Sequence, residues 1–119
     1  MNCIFCDIAK KKMDAKILYE DNLIMIIMDA FPVVEGHLLI IPKEHYVDFK
    51  SLPDELLLHI NKVVRVYSDT LLSKLNKKGL TLLTNYKDAQ KAKHYHLHLL
   101  PDYPSSIEDN PKDVYNILN

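Results

Sequence analysis

The chain has 119 residues, 48% hydrophobic and 26% charged, a composition that fits one compact domain able to bury a core without disulfide staples. Fifteen lysines and arginines against sixteen aspartates and glutamates give a formal charge of −1, which excludes the basic footprint of a general nucleic-acid binder. No stretch approaches the roughly 20 apolar residues of a spanning helix. The basic cluster of MNCIFCDIAKKK follows its apolar residues, the reverse of a secretory leader, so a cytoplasmic protein without a membrane partner is expected.

Cys3 and Cys6 are the two cysteines, and a Cys-x-x-Cys pair in a reducing compartment points to metal or redox chemistry before a structural disulfide. Ile17–Tyr19 and Leu23–Met28 are apolar runs separated by Glu20-Asp21-Asn22, which predicts a β-hairpin. Residues 29–36, with Pro32 and Gly36, predict a loop. GHLLII, Gly36–Ile41, predicts a third strand closed by Pro42, which has no N–H to continue a ladder.

Leu56, Leu57, Ile60, Val63, Val64, Tyr67, Leu71, Leu72 and Leu75 recur at helical spacing, with Lys62, Asp69 and Lys74 opposite. They predict one amphipathic helix of about five or six turns. Ser51 with Asp54, and Pro53 in the first turn, give its start signal, and Gly79 beyond Asn76 its stop. Leu80–Thr84 and Tyr95–Leu100 predict two more strands. The expected architecture is α+β: a five-stranded, mainly antiparallel sheet, one long helix and a short helix at each end. One domain is expected over residues 1–119, its core ending near residue 101 and a polar, proline-punctuated tail following.

The most informative stretch is His94-Tyr95-His96-Leu97-His98-Leu99-Leu100, which holds three of the six histidines at the strand period. Alternate strand residues share a face, so the imidazoles would form a row about 6.5–7 Å apart, with Tyr95, Leu97 and Leu99 on the other face. A lone strand histidine is more often a satisfied core or surface residue; a row of three is not. Two chemistries compete for it. Neighbouring rings can share one zinc, although the outer pair, about 13 Å apart, cannot close on one ion. Alternatively one ring attacks phosphorus while its neighbours orient it.

HYHLHLL resembles the signature His-φ-His-φ-His-φ-φ of the histidine triad (HIT) superfamily of nucleotide hydrolases and transferases, φ being apolar. CIFCDI, YEDNLIMIIMDAFPVVEGHLLIIPKEH, Asn85 and Gln90 match its bacterial branch in the same order, so the resemblance covers nearly the whole chain. It implies that His96 is the nucleophile, attacking a nucleotide α-phosphorus to form a nucleotidyl-histidine that water releases as a nucleoside monophosphate. His98 would bond a phosphate oxygen or assist the leaving group, and His37 would support the phosphate. Asp29 would accept from ribose hydroxyls, with Asn85, Gln90 and Lys91 beside the phosphate and sugar. Taken singly, Asp29 would more commonly cap a turn before Pro32, Asn85 end a strand and Gln90 face water.

The resemblance also implies a structural zinc on Cys3, Cys6, His45 and His94, the alternative being two reduced cysteines with Cys6 buried. His59 matches no motif position. Relatives carry a glycine-rich loop between the Asn and Gln positions; here Tyr86-Lys87-Asp88-Ala89 has no glycine, and Lys87, Lys91 and Lys93 surround it. These lysines would either favour longer polyphosphates or form a solvated loop face. The implied activity is hydrolysis at the α-phosphate of purine nucleoside phosphoramidates or dinucleoside polyphosphates. It needs no catalytic cofactor, with magnesium accompanying a polyphosphate, and is expected in a homodimer built through the long helix and an adjacent strand. The alternatives are a nucleotide-binding or sensing protein with little turnover and a zinc-dependent hydrolase using two triad histidines. His98 argues against the transferase branch, which carries glutamine there.

Overall fold

The computed structural model describes residues 3–104 and 111–119. In chain order the elements are α1 (Ile4–Ala9), β1 (Ile17–Glu20), β2 (Ile24–Met28), β3 (Leu38–Pro42), α2 (Asp54–Leu75), β4 (Leu80–Leu83), β5 (Leu97–Pro101) and α3 (Pro111–Leu118). The strands form one sheet in the order β1-β2-β3-β5-β4, every neighbouring pair antiparallel. The α+β architecture expected from the pattern is therefore present. The segment 105–110 of the expected tail lies outside the described residues.

The period of two divides the sheet into a dry face and a working face. Ile24, Ile26, Leu38, Ile40, Tyr95, Leu97 and Leu99 pack with Leu56, Ile60, Val64, Leu71 and Leu75 of α2 and with Val114 and Leu118 of α3. The other face carries Met25, Ile27, Leu39 and Ile41, packed with Phe5 and Ile8 of α1. The long helix and α3 thus cover one side, while α1 covers only part of the other and leaves room for a cleft. Among the described residues no helix is long and apolar enough to cross a membrane.

Several local signals resolve differently from expectation. Ser51 does not cap α2: Pro53 holds the N-cap position, and the Ser51 hydroxyl donates to the Asp48 carbonyl at 2.9 Å. Asn76, not Gly79, ends the helix, adopting the left-handed conformation at φ 56° while the Lys77 N–H returns to the Leu72 carbonyl at 2.9 Å. Gly36 carries a true glycine requirement, since φ is +81° and a Cβ there would stand 2.5 Å from Leu75 Cδ1. In the hairpin turn Asp21 Oδ1 accepts from the N–H groups of Leu23 and Ile24 at 2.8 and 2.9 Å. Its Oδ2 accepts from the Tyr19 hydroxyl and from His59 Nε2, both at 2.7 Å, so His59 ties α2 to the hairpin.

Candidate active site and metal cluster

His94, His96 and His98 share the working face, opposite the buried Tyr95, Leu97 and Leu99. Only His98 lies within the ladder of β5; the strand expected from Tyr95 begins two residues later. The Tyr95 N–H instead bonds the Tyr46 carbonyl at 2.6 Å, in the loop after β3. The rings of His96 and His98 lean together to 5.0 Å between centroids, closer than the strand repeat alone predicts.

Backbone carbonyls assign the protons on these rings, because a carbonyl oxygen can only accept. His96 Nδ1–H donates to the His94 carbonyl at 2.8 Å, leaving the lone pair of the neutral ring on Nε2. His94 Nε2–H donates to the Pro42 carbonyl at 2.9 Å, leaving its lone pair on Nδ1. His37 is fixed from the other side: the Val33 N–H donates to its Nδ1 at 3.1 Å, so Nε2 carries the proton. That proton points to His98 Nδ1 at 2.8 Å, with Asp29 Oδ2 at 3.3 Å, and places the His98 proton on Nε2. Burial, reinforced by the neighbouring His96 and His37 rings, pushes His98 down to about 4 against the opposing pull of Asp29. Burial also lowers His37, although Asp29 opposes it. Asp29, His37 and His98 bring donor atoms within 4.8 Å of one another, but the proton on His37 Nε2 makes this group a hydrogen-bond relay rather than a metal site.

The free Nδ1 of His94 faces a second group. It lies 3.3 Å from Cys3 Sγ, 3.5 Å from Cys6 Sγ and 3.2 Å from His45 Nδ1, and Cys6 Sγ lies 3.3 Å from His45 Nδ1. A tetrahedral zinc holding two thiolates and two imidazoles sets its ligand atoms roughly 3.3–3.8 Å apart, so these residues fit that ion. Burial and the adjacent Cys3 push the Cys6 thiol up, a repulsion that a dication would reverse.

Between α1, β2 and the histidine row lies a cleft of about 940 Å³. Ile4, Phe5, Ile8 and Met13 form one wall, Ile27 and Leu39 the floor, and Phe31 the lip; His96, His98, Asp29, Asp14 and Lys16 supply the polar lining. Such a cleft suits a flat apolar group attached to a polar, anionic one.

A sequence profile of the HIT domain matches residues 10–105. This chain belongs to the HIT family. Among solved HIT structures, a hypothetical histidine triad nucleotide-binding protein of Sulfolobus tokodaii superposes with a TM-score of 0.85 at 30% identity, covering 98% of this chain and 86% of that one. A zinc-bound histidine triad family protein of Mycobacterium smegmatis gives 0.89 at 29%, covering 99% and 91%. An Arabidopsis thaliana adenylylsulfatase is 31% identical over 102 residues, 84% of this chain and 52% of that protein.

Of the residues that the HIT signature singles out, the structure gathers His96, His98 and Asp29 at the cleft, with His37 buried behind His98, and Cys3, Cys6, His45 and His94 near one another. Asp29 also fills its ordinary role, because Oδ1 accepts from the Phe31 N–H at 2.8 Å. Asn85, Gln90 and Lys91 do not line the cleft. Gln90 is 7% exposed rather than solvated, its Nε2 donating to the Val47 carbonyl at 2.6 Å. Lys91 and Lys93 are exposed, and Lys93 Nζ donates to the Lys87 carbonyl at 2.7 Å. Two contributors had no sequence signal of their own. Phe5 packs against both His94 and His96, and the Thr84 hydroxyl donates to the His96 carbonyl at 3.1 Å.

Proposed function

We propose that the protein is a nucleotidyl hydrolase acting at the α-phosphate of purine nucleoside phosphoramidates or dinucleoside polyphosphates. One observation carries this reading: His96 Nδ1–H is committed to a carbonyl, so Nε2 presents its lone pair in a ring that lines the cleft. In the first step Nε2 attacks the α-phosphorus, a P–N bond to histidine forms, and the bond to the leaving nitrogen or oxygen breaks. The leaving group takes up a proton from bulk water, which the attacking water of the second step returns. In the second step water attacks the same phosphorus, releasing the nucleoside monophosphate and returning the electron pair to Nε2. His98 Nε2–H donates to a phosphoryl oxygen, and His37 holds His98 in that tautomer. The apolar wall takes the base, and Asp29 Oδ2, 3.3 Å from His37 Nε2, keeps a lone pair that accepts from ribose.

Cys3, Cys6, His45 and His94 would hold a structural zinc, which contributes binding free energy to folding. Thiolate ligands suit the reducing cytoplasm. A homodimer accords with the open edge of β4, where Leu82 is exposed, and light scattering at micromolar concentration tests it.

The deciding experiment incubates wild type and His96→Ala with adenosine phosphoramidate and with a diadenosine polyphosphate. Wild type should turn over and show an adenylyl adduct by intact mass, and the variant should lose on the order of 10⁴-fold in rate with circular dichroism unchanged. Binding without product in wild type would instead establish a nucleotide sensor.

A further inference from the structure

We propose that the Cys3–Cys6–His45–His94 cluster governs nucleotide affinity as well as stability, acting through α1 with Phe5 as the positioning residue. The inference rests on the nucleotide reading above and concerns how that site is controlled. With six residues, α1 is far below the length at which a helix holds itself in water, so its position depends on what anchors it. Its anchors and its working surface are interleaved. Cys3, the N-cap residue, and Cys6 belong to the metal cluster, whereas Ile4, Phe5 and Ile8 form the cleft wall.

Phe5 joins the two. Its ring centroid stands 5.7 Å from that of His94, a cluster ligand, and 5.0 Å from that of His96. A second path runs through His94 itself, whose ring faces the cluster while its carbonyl holds His96 Nδ1 at 2.8 Å. An ion that fixes Cys3, Cys6 and His94 therefore fixes the wall against which the base would rest. Linkage then requires reciprocity: nucleotide must tighten metal binding by the factor by which metal tightens nucleotide.

The test uses the full chain, zinc and adenosine 5′-monophosphate. Calorimetry on zinc-loaded and metal-free, reduced protein should show the nucleotide binding about tenfold more weakly without metal. Competition with a chromophoric chelator should show zinc affinity rising by the same factor when the nucleotide is present at saturation. If the loaded protein binds no nucleotide, the functional reading fails. If loaded and metal-free proteins bind it equally within about twofold, the coupling is refuted while that reading stands. Should circular dichroism show that the metal-free chain unfolds, the metal acts through global folding rather than through α1, and the proposal is overturned.

Discussion

The two outer rings of the histidine row begin alike and end in different chemistry. His94 and His98 stand on one face of one segment, and burial lowers both toward the neutral ring. His94 is fully buried, its proton taken by a carbonyl and its lone pair turned to two thiols and a third imidazole. His98 lines the cleft, its lone pair taken by His37 and its proton left for an acceptor. One side chain is thus arranged to suit a metal ion at one end and a hydrogen-bond acceptor at the other. What decides is which ring nitrogen the surrounding structure has already occupied.

Breaking each end separately should give opposite signatures. His98→Gln should lose roughly 10²-fold or more in kcat while keeping its zinc and a Tm within about 2 °C of wild type. His94→Ala should abolish zinc stoichiometry, measured by atomic absorption, and cost about 3 kcal/mol of stability in denaturant titration. If each variant produced the signature assigned to the other, the comparison would be inverted.

A subtler consequence concerns pH. His98 titrates near 4 in the folded protein and near 6.5 when unfolded, so the unfolded chain binds the extra proton first as pH falls. Its contribution to stability is complete above about pH 6.5 and is lost on acidification toward 4. Urea midpoints across that window should fall more steeply for wild type than for His98→Gln, and equal slopes would show that the half-buried His98 ring does not set this pH dependence.

The smallest expected effect lies away from the row. Burial alone would raise Asp21, but bonds from the Leu23 N–H, the Tyr19 hydroxyl, the Ile24 N–H and His59 outweigh it and hold the carboxyl at about 2. Asp21→Asn should cost about 1 kcal/mol in denaturant titration and leave turnover unchanged, which marks His59 as a structural histidine.

These contrasts show which kinds of information the sequence carries. The alternation through HYHLHLL placed three rings on one face, because side-chain direction in extended chain is local and geometric. Family resemblance supplied Cys3, Cys6, His45 and His94 as one ligand set, and the fold brings together residues separated by up to 91 positions. The helix ends were harder, since Ser51 and Gly79 carry stronger generic signals than Pro53 and Asn76, and tertiary context chose the latter pair. The burial of Gln90 was also hidden, because its partner is the main-chain carbonyl of Val47, to which residue type gives no clue. The strand order with β5 between β3 and β4 arises from long-range pairing that no local pattern encodes.

Phe31 offers a practical opening. Its N–H is held by Asp29 while its side chain, 88% exposed, projects from the lip of the cleft. The polypeptide contains no tryptophan, so Phe31→Trp would install a single fluorophore at the mouth through which any ligand passes. Excited at the red edge of its absorption, beyond that of the seven tyrosines, its emission would report occupancy optically.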